Sequence, residues 1–250
     1  MSRLSLVGIR CEFDGVVAVE DVSFECGAGI TGLIGPNGAG KSTLLNAISG
    51  HIRPVAGAVS LDGEDISRLS PHVLARKGIV RTFQISNVFQ RMSVVENLLV
   101  GGSDAWQWMS LRKAVAGPRA WRSWQEAQLI RAYDLMARFR MSHMAGTFAG
   151  ELSGGQRRLV EIMRCLMRKP RFLLLDEPMA GVSPALSVEI AESLRALADG
   201  GLGILLIEHE LAFVESLCQR IVVLANGRLL MEGSMAEVRR NEQVIEAYIA

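Results

Sequence analysis

Nine consecutive residues, Gly35-Pro36-Asn37-Gly38-Ala39-Gly40-Lys41-Ser42-Thr43, have the types and spacing to hold a polyphosphate. An apolar, strand-like stretch over residues 30–34 runs into them and a helical pattern over residues 44–48 leaves them, so the glycines sit where a strand turns sharply into a helix. Gly35, Gly38 and Gly40 admit backbone dihedrals closed to other residues. Successive N–H groups can then converge on one concavity at the positive end of the following helix dipole. Lys41 is placed to reach β- and γ-phosphates, Ser42 to offer its hydroxyl to Mg²⁺, and Thr43 to add a further phosphate contact.

Four more polar groups each directly follow a stretch that reads as a strand. Gln84 follows residues 79–83, Asp176-Glu177 follow the apolar run 172–175, and His209 comes just after the apolar run 204–207. Ligands of open parallel sheets bind outside the carboxyl ends of the strands. Singly, an acidic pair or a histidine at a strand end is more often a solvated cap; together with the glycine-rich loop these groups define one edge around one nucleotide. Asp176 has the position of a carboxylate that holds Mg²⁺ directly or through water. Glu177 would face the γ-phosphate as general base, His209 would bond that phosphate or orient the attacking water, and Gln84 would ligate Mg²⁺. A second anion-seeking surface lies far along the chain. In Leu152-Ser153-Gly154-Gly155-Gln156, Ser153 is a plausible N-cap of a long amphipathic helix, whose N-terminus carries Gly154 and Gly155.

The elements that must position these groups follow from the pattern. Residues 4–34 read as short strands (4–7, 16–19, 22–24 and 30–34) punctuated at Asp14-Gly15 and Gly27-Ala28-Gly29. Phe13 falls in the first turn, where an aromatic could stack on a purine or simply join the core. Residues 57–63 read as a strand and turn, 71–77 as a short helix, and 79–83 as a strand. From 85 to 158 convincing strands vanish and helical patterns take over at 94–100 and 121–139. This stretch holds Trp106, Trp108, Trp121 and Trp124, of which Trp121 and Trp124 share a helix face, as a packing or a docking pair. Alternation then resumes, with a helix over 184–198 and a hairpin signal at Ala225-Asn226-Gly227. The expected architecture is α/β, with a β-rich N-terminal region and an inserted all-helical lobe, and with the glycine-rich loop it resembles a P-loop NTPase (RecA-like) core. The expected divisions are 1–84 and 159–236 for the core, 85–158 for the lobe and 237–250 for a helical tail.

Composition excludes several classes. The chain has 250 residues, 49% of them hydrophobic, yet no apolar run approaches the length needed to cross a bilayer. The start alternates like a strand, so no secretory leader is expected. A formal net charge of +1 gives no argument for a nucleic-acid partner. Cys11, Cys26, Cys165 and Cys218 are scattered among apolar neighbours with no metal-ligand spacing, which predicts buried, reduced thiols.

Residues 35–43, Gln84, Leu152 to Gln156, Leu173-Leu174-Leu175-Asp176-Glu177-Pro178 and His209 resemble the Walker A, Q-loop, signature, Walker B and H-loop motifs of ABC-type ATPase subunits, over nearly the whole chain. The resemblance implies ATP and Mg²⁺ as ligands and a head-to-tail dimer. In such a dimer Ser153, Gly154, Gly155 and Gln156 of one subunit close over ATP held by the P-loop of the other. Phe13 matches the family's adenine-stacking aromatic. A narrower likeness runs through Val80-Arg81-Thr82-Phe83-Gln84, residues 92–100 and 119–127, Ala180-Gly181-Val182-Ser183-Pro184, Leu206-Ile207-Glu208-His209 and residues 244–249. These are similar to the ATP-binding subunits of branched-chain amino acid importers.

That likeness implies two transmembrane permease subunits, a second ATP-binding subunit (a heterodimer rather than a homodimer), an indirectly engaged periplasmic binding protein, and a place on the cytoplasmic face of a bacterial inner membrane. Importers of urea or short amides share most of these features, and lipopolysaccharide-export ATPases share some. A soluble ABC ATPase acting on ribosomes or DNA is the rival class; such proteins usually carry two cassettes or a coiled-coil arm, and this chain reads as having neither. Ser183 stands where ABC ATPases usually carry aspartate, and Met179 and Ala180 replace the commoner hydroxyl residues just before it.

Overall fold

The computed structural model describes residues 2–82, 88–102 and 118–249, with residues 118–120 and 249 described by backbone alone. Gln84, Trp106 and Trp108 therefore lie outside the described residues. The chain divides into two compact units, one of residues 1–81, 171–178 and 194–250, the other of residues 82–170 and 179–193.

The first unit holds two sheets. In the smaller, strands β1 (Leu4–Phe13), β2 (Val16–Cys26), β4 (Ala56–Leu61) and β5 (Glu64–Asp65) run in the order β2-β1-β4-β5. All its pairings are antiparallel. The region forms fewer and longer strands than its residue pattern predicts. The cause is bulging: the β1–β2 register shifts three times, and Gly8 and Asp21 take positive φ of 60° and 52° within otherwise continuous strands. Phe13 is accordingly the last residue of β1 and not a turn residue. Asp14-Gly15 closes the hairpin with φ of 48° and 82°, both positive as a type I′ turn requires.

The larger sheet has the order β10-β9-β3-β8-β7-β6. Its members are β3 (Gly29–Ile34), β6 (Ile79–Arg81), β7 (Phe172–Asp176), β8 (Gly203–Ile207), β9 (Arg220–Ala225) and β10 (Arg228–Gly233). Strands β9, β3, β8, β7 and β6 are parallel, and β10 closes one edge antiparallel through the hairpin at Asn226-Gly227. Every residue of β7 and β8 is buried. That is why they read as unbroken apolar runs: a parallel strand covered on both faces has no solvent side to alternate with. Helices α1 (Lys41–Ile48) and α2 (Pro71–Lys77) belong to this unit. One apolar cluster joins Leu4, Leu6 and Phe24 of the small sheet to Leu44, Leu45 and Ile48 of α1 and to Leu33, Leu174 and Leu205 of the large one. Three of the cysteines are buried and Cys218 is half-buried, all as free thiols.

The second unit carries α3 (Val94–Gly101), α4 (Pro118–Arg138) and α5 (Gly154–Leu166), with residues 184–193 of α6 (Pro184–Asp199). Ser93 and Glu96 form a reciprocal capping box at the start of α3. Along α4 the rings of Trp121 and Trp124 stack with centroids 5.1 Å apart. Among the described residues no helix is long and apolar enough to cross a membrane.

Candidate functional site

The strand order decides which side chains meet. Strands β3, β8, β7 and β6 are adjacent and parallel, so their carboxyl ends share one edge. The glycine-rich loop leaves β3, His209 lies two residues beyond β8, and Asp176 ends β7 with Glu177 next to it. Adjacency in the sheet thus brings together residues as far apart in sequence as Gly35 and His209.

The glycines of the loop are required for distinct reasons. Gly35 has φ 152°, and a Cβ there would sit 2.1 Å from the Leu224 carbonyl oxygen. Gly40, at φ 95°, would meet the Ala18 carbonyl oxygen at 2.6 Å. α1 begins at Lys41 with no side-chain cap and no acidic residue in its first turn, so its N–H groups and dipole face an open concavity.

That concavity has a volume of about 210 Å³ and is lined by Ala18, residues 37–43, Glu177 and His209. Its size, below the roughly 300 Å³ usual for a whole small-molecule pocket, suits the phosphate end of a nucleotide. The hairpin that supplies Ala18 also carries Phe13, which is 42% exposed. Its free aromatic face can therefore take a base outside the phosphate cavity.

Lys41 is 6% exposed, and its ammonium donates to the carbonyls of Gly35 and Pro36 at 2.7 and 2.8 Å. Burial holds its pKa below the usual lysine value, a shift opposed first by the Glu177 carboxylate and then by Asp176. A buried cation tied to its own loop is primed for an arriving anion. Glu177 occupies the left-handed region at φ 47°, which costs a non-glycine residue energy. Its amide donates to the Ile207 carbonyl at 3.0 Å, and its Oε1 lies 2.8 Å from Nε2 of His209. The pair forms a carboxylate and an imidazole at hydrogen-bond reach on the cavity wall, an arrangement that can take a proton from water.

Asp176 differs from expectation in one respect. It is 1% exposed and is not among the residues lining the cavity; its Oδ2 accepts from Arg81 at 2.8 Å. Arg81 is absent from the sequence-derived set of site residues. The available signal was a guanidinium closing a three-residue strand whose other members, Ile79 and Val80, are buried and apolar. The donors fit Mg²⁺: Ser42 and Asp176 offer hard oxygen ligands beside a phosphate nest, and Mg²⁺ is ordinarily held by one or two protein oxygens plus substrate phosphates. No three-residue metal cage exists among the described residues.

The other anion-seeking stretch lies in the second unit. Ser153 caps α5 in a reciprocal box, its hydroxyl accepting from the Gln156 amide at 3.2 Å while its own amide donates to Gln156 Oε1 at 2.9 Å. Gly155 is buried, and a Cβ there would lie 2.8 Å from Leu186 Cδ2. Gly154 has open space beside it.

A parallel sheet, a glycine nest opening a helix, and an acidic pair at the next strand but one define a P-loop nucleotide-binding ATPase. More narrowly, the chain belongs to the ABC transporter family, whose model matches residues 19–180. A second model, described as branched-chain amino acid ATP-binding cassette transporter, matches residues 228–249. The chain is 38% identical to the high-affinity branched-chain amino acid transport ATP-binding protein BraF of Pseudomonas aeruginosa, covering 100% of this chain and 99% of that one. It is also 35% identical to the lipopolysaccharide export system ATP-binding protein LptB of Escherichia coli, covering 100% of this chain and 98% of the relative. Among solved structures, a nucleotide-free ATP-binding cassette from an ABC transporter superposes with a TM-score of 0.85 at 34% identity, and covers 100% of both chains. An ATP-binding cassette in its ADP conformation gives 0.84 at 34% identity, covering 100% of this chain and 99% of the other.

Proposed function

We propose that this chain is the ATP-hydrolysing subunit of an importer for branched-chain amino acids. The cargo assignment rests on one observation: the segment 228–249, outside the generic cassette, matches the model described for branched-chain amino acid transporters. The likeness to LptB keeps lipopolysaccharide export as a second reading, since that relative is matched over the same length.

In the proposed cycle Lys41 and the N–H groups of the loop neutralise the β- and γ-phosphates, and Phe13 stacks on the base. Mg²⁺, held through Ser42, Asp176 and Gln84, would supply charge neutralisation between the phosphates. Glu177 takes a proton from water as the water oxygen bonds to the γ-phosphorus and the bond to the ADP oxygen breaks. His209 orients Glu177 and the γ-phosphate. Ser153, Gly154, Gly155 and Gln156 cover the nucleotide of a second ATP-binding subunit, a different chain in the reading favoured here. Dimer closure would be transmitted to two permease subunits at the cytoplasmic face of the inner membrane, fed by a periplasmic binding protein.

The test is transport in vesicles. Permeases and binding protein of one genomic transport cluster are reconstituted with this chain, and radiolabelled leucine uptake is followed with ATP inside. Uptake that stops with the Glu177→Gln variant supports the reading; ATP hydrolysis without leucine uptake refutes the cargo.

A further inference from the structure

β6 is three residues long and pairs in parallel with β7, so that Arg81 stands opposite Leu174, two residues before Asp176. Alternation places the side chains of Leu174 and Asp176 on one face of the sheet. Arg81 reaches that carboxylate with both side chains almost fully covered, 9% and 2% exposed. Its two terminal nitrogens do different work. Nη2 donates to Asp176 Oδ2 at 2.8 Å, whereas Nη1 donates to Asn46 Oδ1 at 2.6 Å and to Ser49 Oγ at 3.2 Å. Ser49 in turn donates to the Leu45 carbonyl at 2.7 Å. Asn46 and Leu45 belong to α1, and Ser49 is its C-cap. One planar guanidinium therefore joins the end of β7 to the helix that begins with Lys41.

A rigid fork held at both ends fixes more than distance. Holding Oδ2 against a guanidinium that α1 itself orients sets the plane of the Asp176 carboxylate, and with it the direction in which Oδ1 points. Groups that orient a metal ligand from behind are worth much of the metal's affinity. We propose that Arg81 is a positioning residue of the phosphate site: by bracing Asp176 against α1 it sets how tightly Mg²⁺ is held with the nucleotide. The inference rests on the reading of this cavity as a Mg-ATP site. It assigns Asn46 and Ser49 the supporting role of orienting the guanidinium.

The test uses the purified chain and a non-hydrolysable, fluorescent ATP analogue, titrated first in EDTA and then at increasing Mg²⁺. Arg81→Met is expected to bind the analogue in EDTA as the wild type does, but to need about tenfold more Mg²⁺ to tighten it. Arg81→Lys keeps a point charge for Asp176 without the fork and should recover part of that loss. Asn46→Ala leaves the ion pair in place and should shift the Mg²⁺ requirement by about threefold in the same direction. Because Arg81→Met leaves a buried carboxylate without its cation and can fail to fold, Arg81→Lys and Asn46→Ala carry the test if it does. Wild-type Mg²⁺ dependence in both of these variants overturns the proposal. So does a loss of affinity that is equal in EDTA and in Mg²⁺, the mark of a purely structural role. Failure of the wild type itself to bind more tightly with Mg²⁺ would instead overturn the Mg-ATP reading.

Discussion

Replacing Lys41 by methionine separates a phosphate-binding lysine from a structural one. The ammonium donates to two carbonyls of its own loop, at 2.7 and 2.8 Å, yet burial holds its pKa low. Protonated Lys41 thus carries a desolvation penalty that a neutral side chain of similar length escapes. The lost hydrogen bonds and the relieved penalty oppose each other. The unfolding free energy without nucleotide should therefore move by less than about 1 kcal/mol, or about 2–4 °C for a chain of this size. Nucleotide binding has no such compensation. A charged hydrogen bond to phosphate is worth about 1.5–3 kcal/mol, so affinity should fall about 10- to 150-fold. Differential scanning fluorimetry reads both quantities in one plate. At an ATP concentration about 100 times the wild-type Kd, the wild type gains about 2.7 kcal/mol, whereas a variant weakened 100-fold gains about 0.4 kcal/mol. An affinity within threefold of wild type, or a nucleotide-free midpoint lowered by much more than a few degrees, would refute the reasoning.

Glu177→Gln keeps the shape of a side chain already held at φ 47° and within 2.8 Å of His209, so ATP binding by titration should persist. Steady-state phosphate release should fall by about 10²- to 10⁴-fold, and near-normal turnover would remove Glu177 as the base. Gly35→Ala would force a Cβ to 2.1 Å from the Leu224 carbonyl oxygen at φ 152°, and should cost about 1–3 kcal/mol in urea unfolding. An unchanged midpoint would contradict the geometry. His51 is held below the usual histidine pKa, by burial first and then by the Arg81 cation. The unfolded chain therefore binds this proton at higher pH than the fold does. The contribution is fully present above the ordinary histidine pKa of about 6.5 and is lost as pH falls toward the lower folded value. His51→Gln should flatten that part of the stability profile, and an unaltered profile would exclude the residue.

Much of the candidate site's geometry was legible because its residues also shape the backbone. The loop glycines announce positive φ and close approach, and β7 and β8 announce themselves by lacking any polar position. Their shared edge followed from the rule for parallel sheets, and the strand order β3-β8-β7-β6 supplies it. The N-terminal strands were less legible. Bulges at Gly8 and Asp21 break the two-residue period from which a strand is read, so β1 and β2 looked like fragments and Phe13 like a turn residue. Arg81 showed in the sequence only as a charge in an apolar strand, and its role was hidden for a different reason. Its partners, Asn46, Ser49 and Asp176, are brought to it by sheet order and helix packing, and neither sequence spacing nor residue type reports such a long-range contact. The burial of Asp176 against that guanidinium was equally unreadable.

The central claim is that hydrolysis in this cavity drives a membrane importer. Its most direct test is an affinity pull-down of the tagged chain from detergent-solubilised native membranes, followed by ATPase assays of the chain alone and of the recovered assembly. Two multi-span permeases and a second ATP-binding subunit, with hydrolysis raised by the assembly and abolished by Glu177→Gln, are the predicted result. Recovery of ribosomal or DNA-repair proteins without any membrane subunit would contradict it.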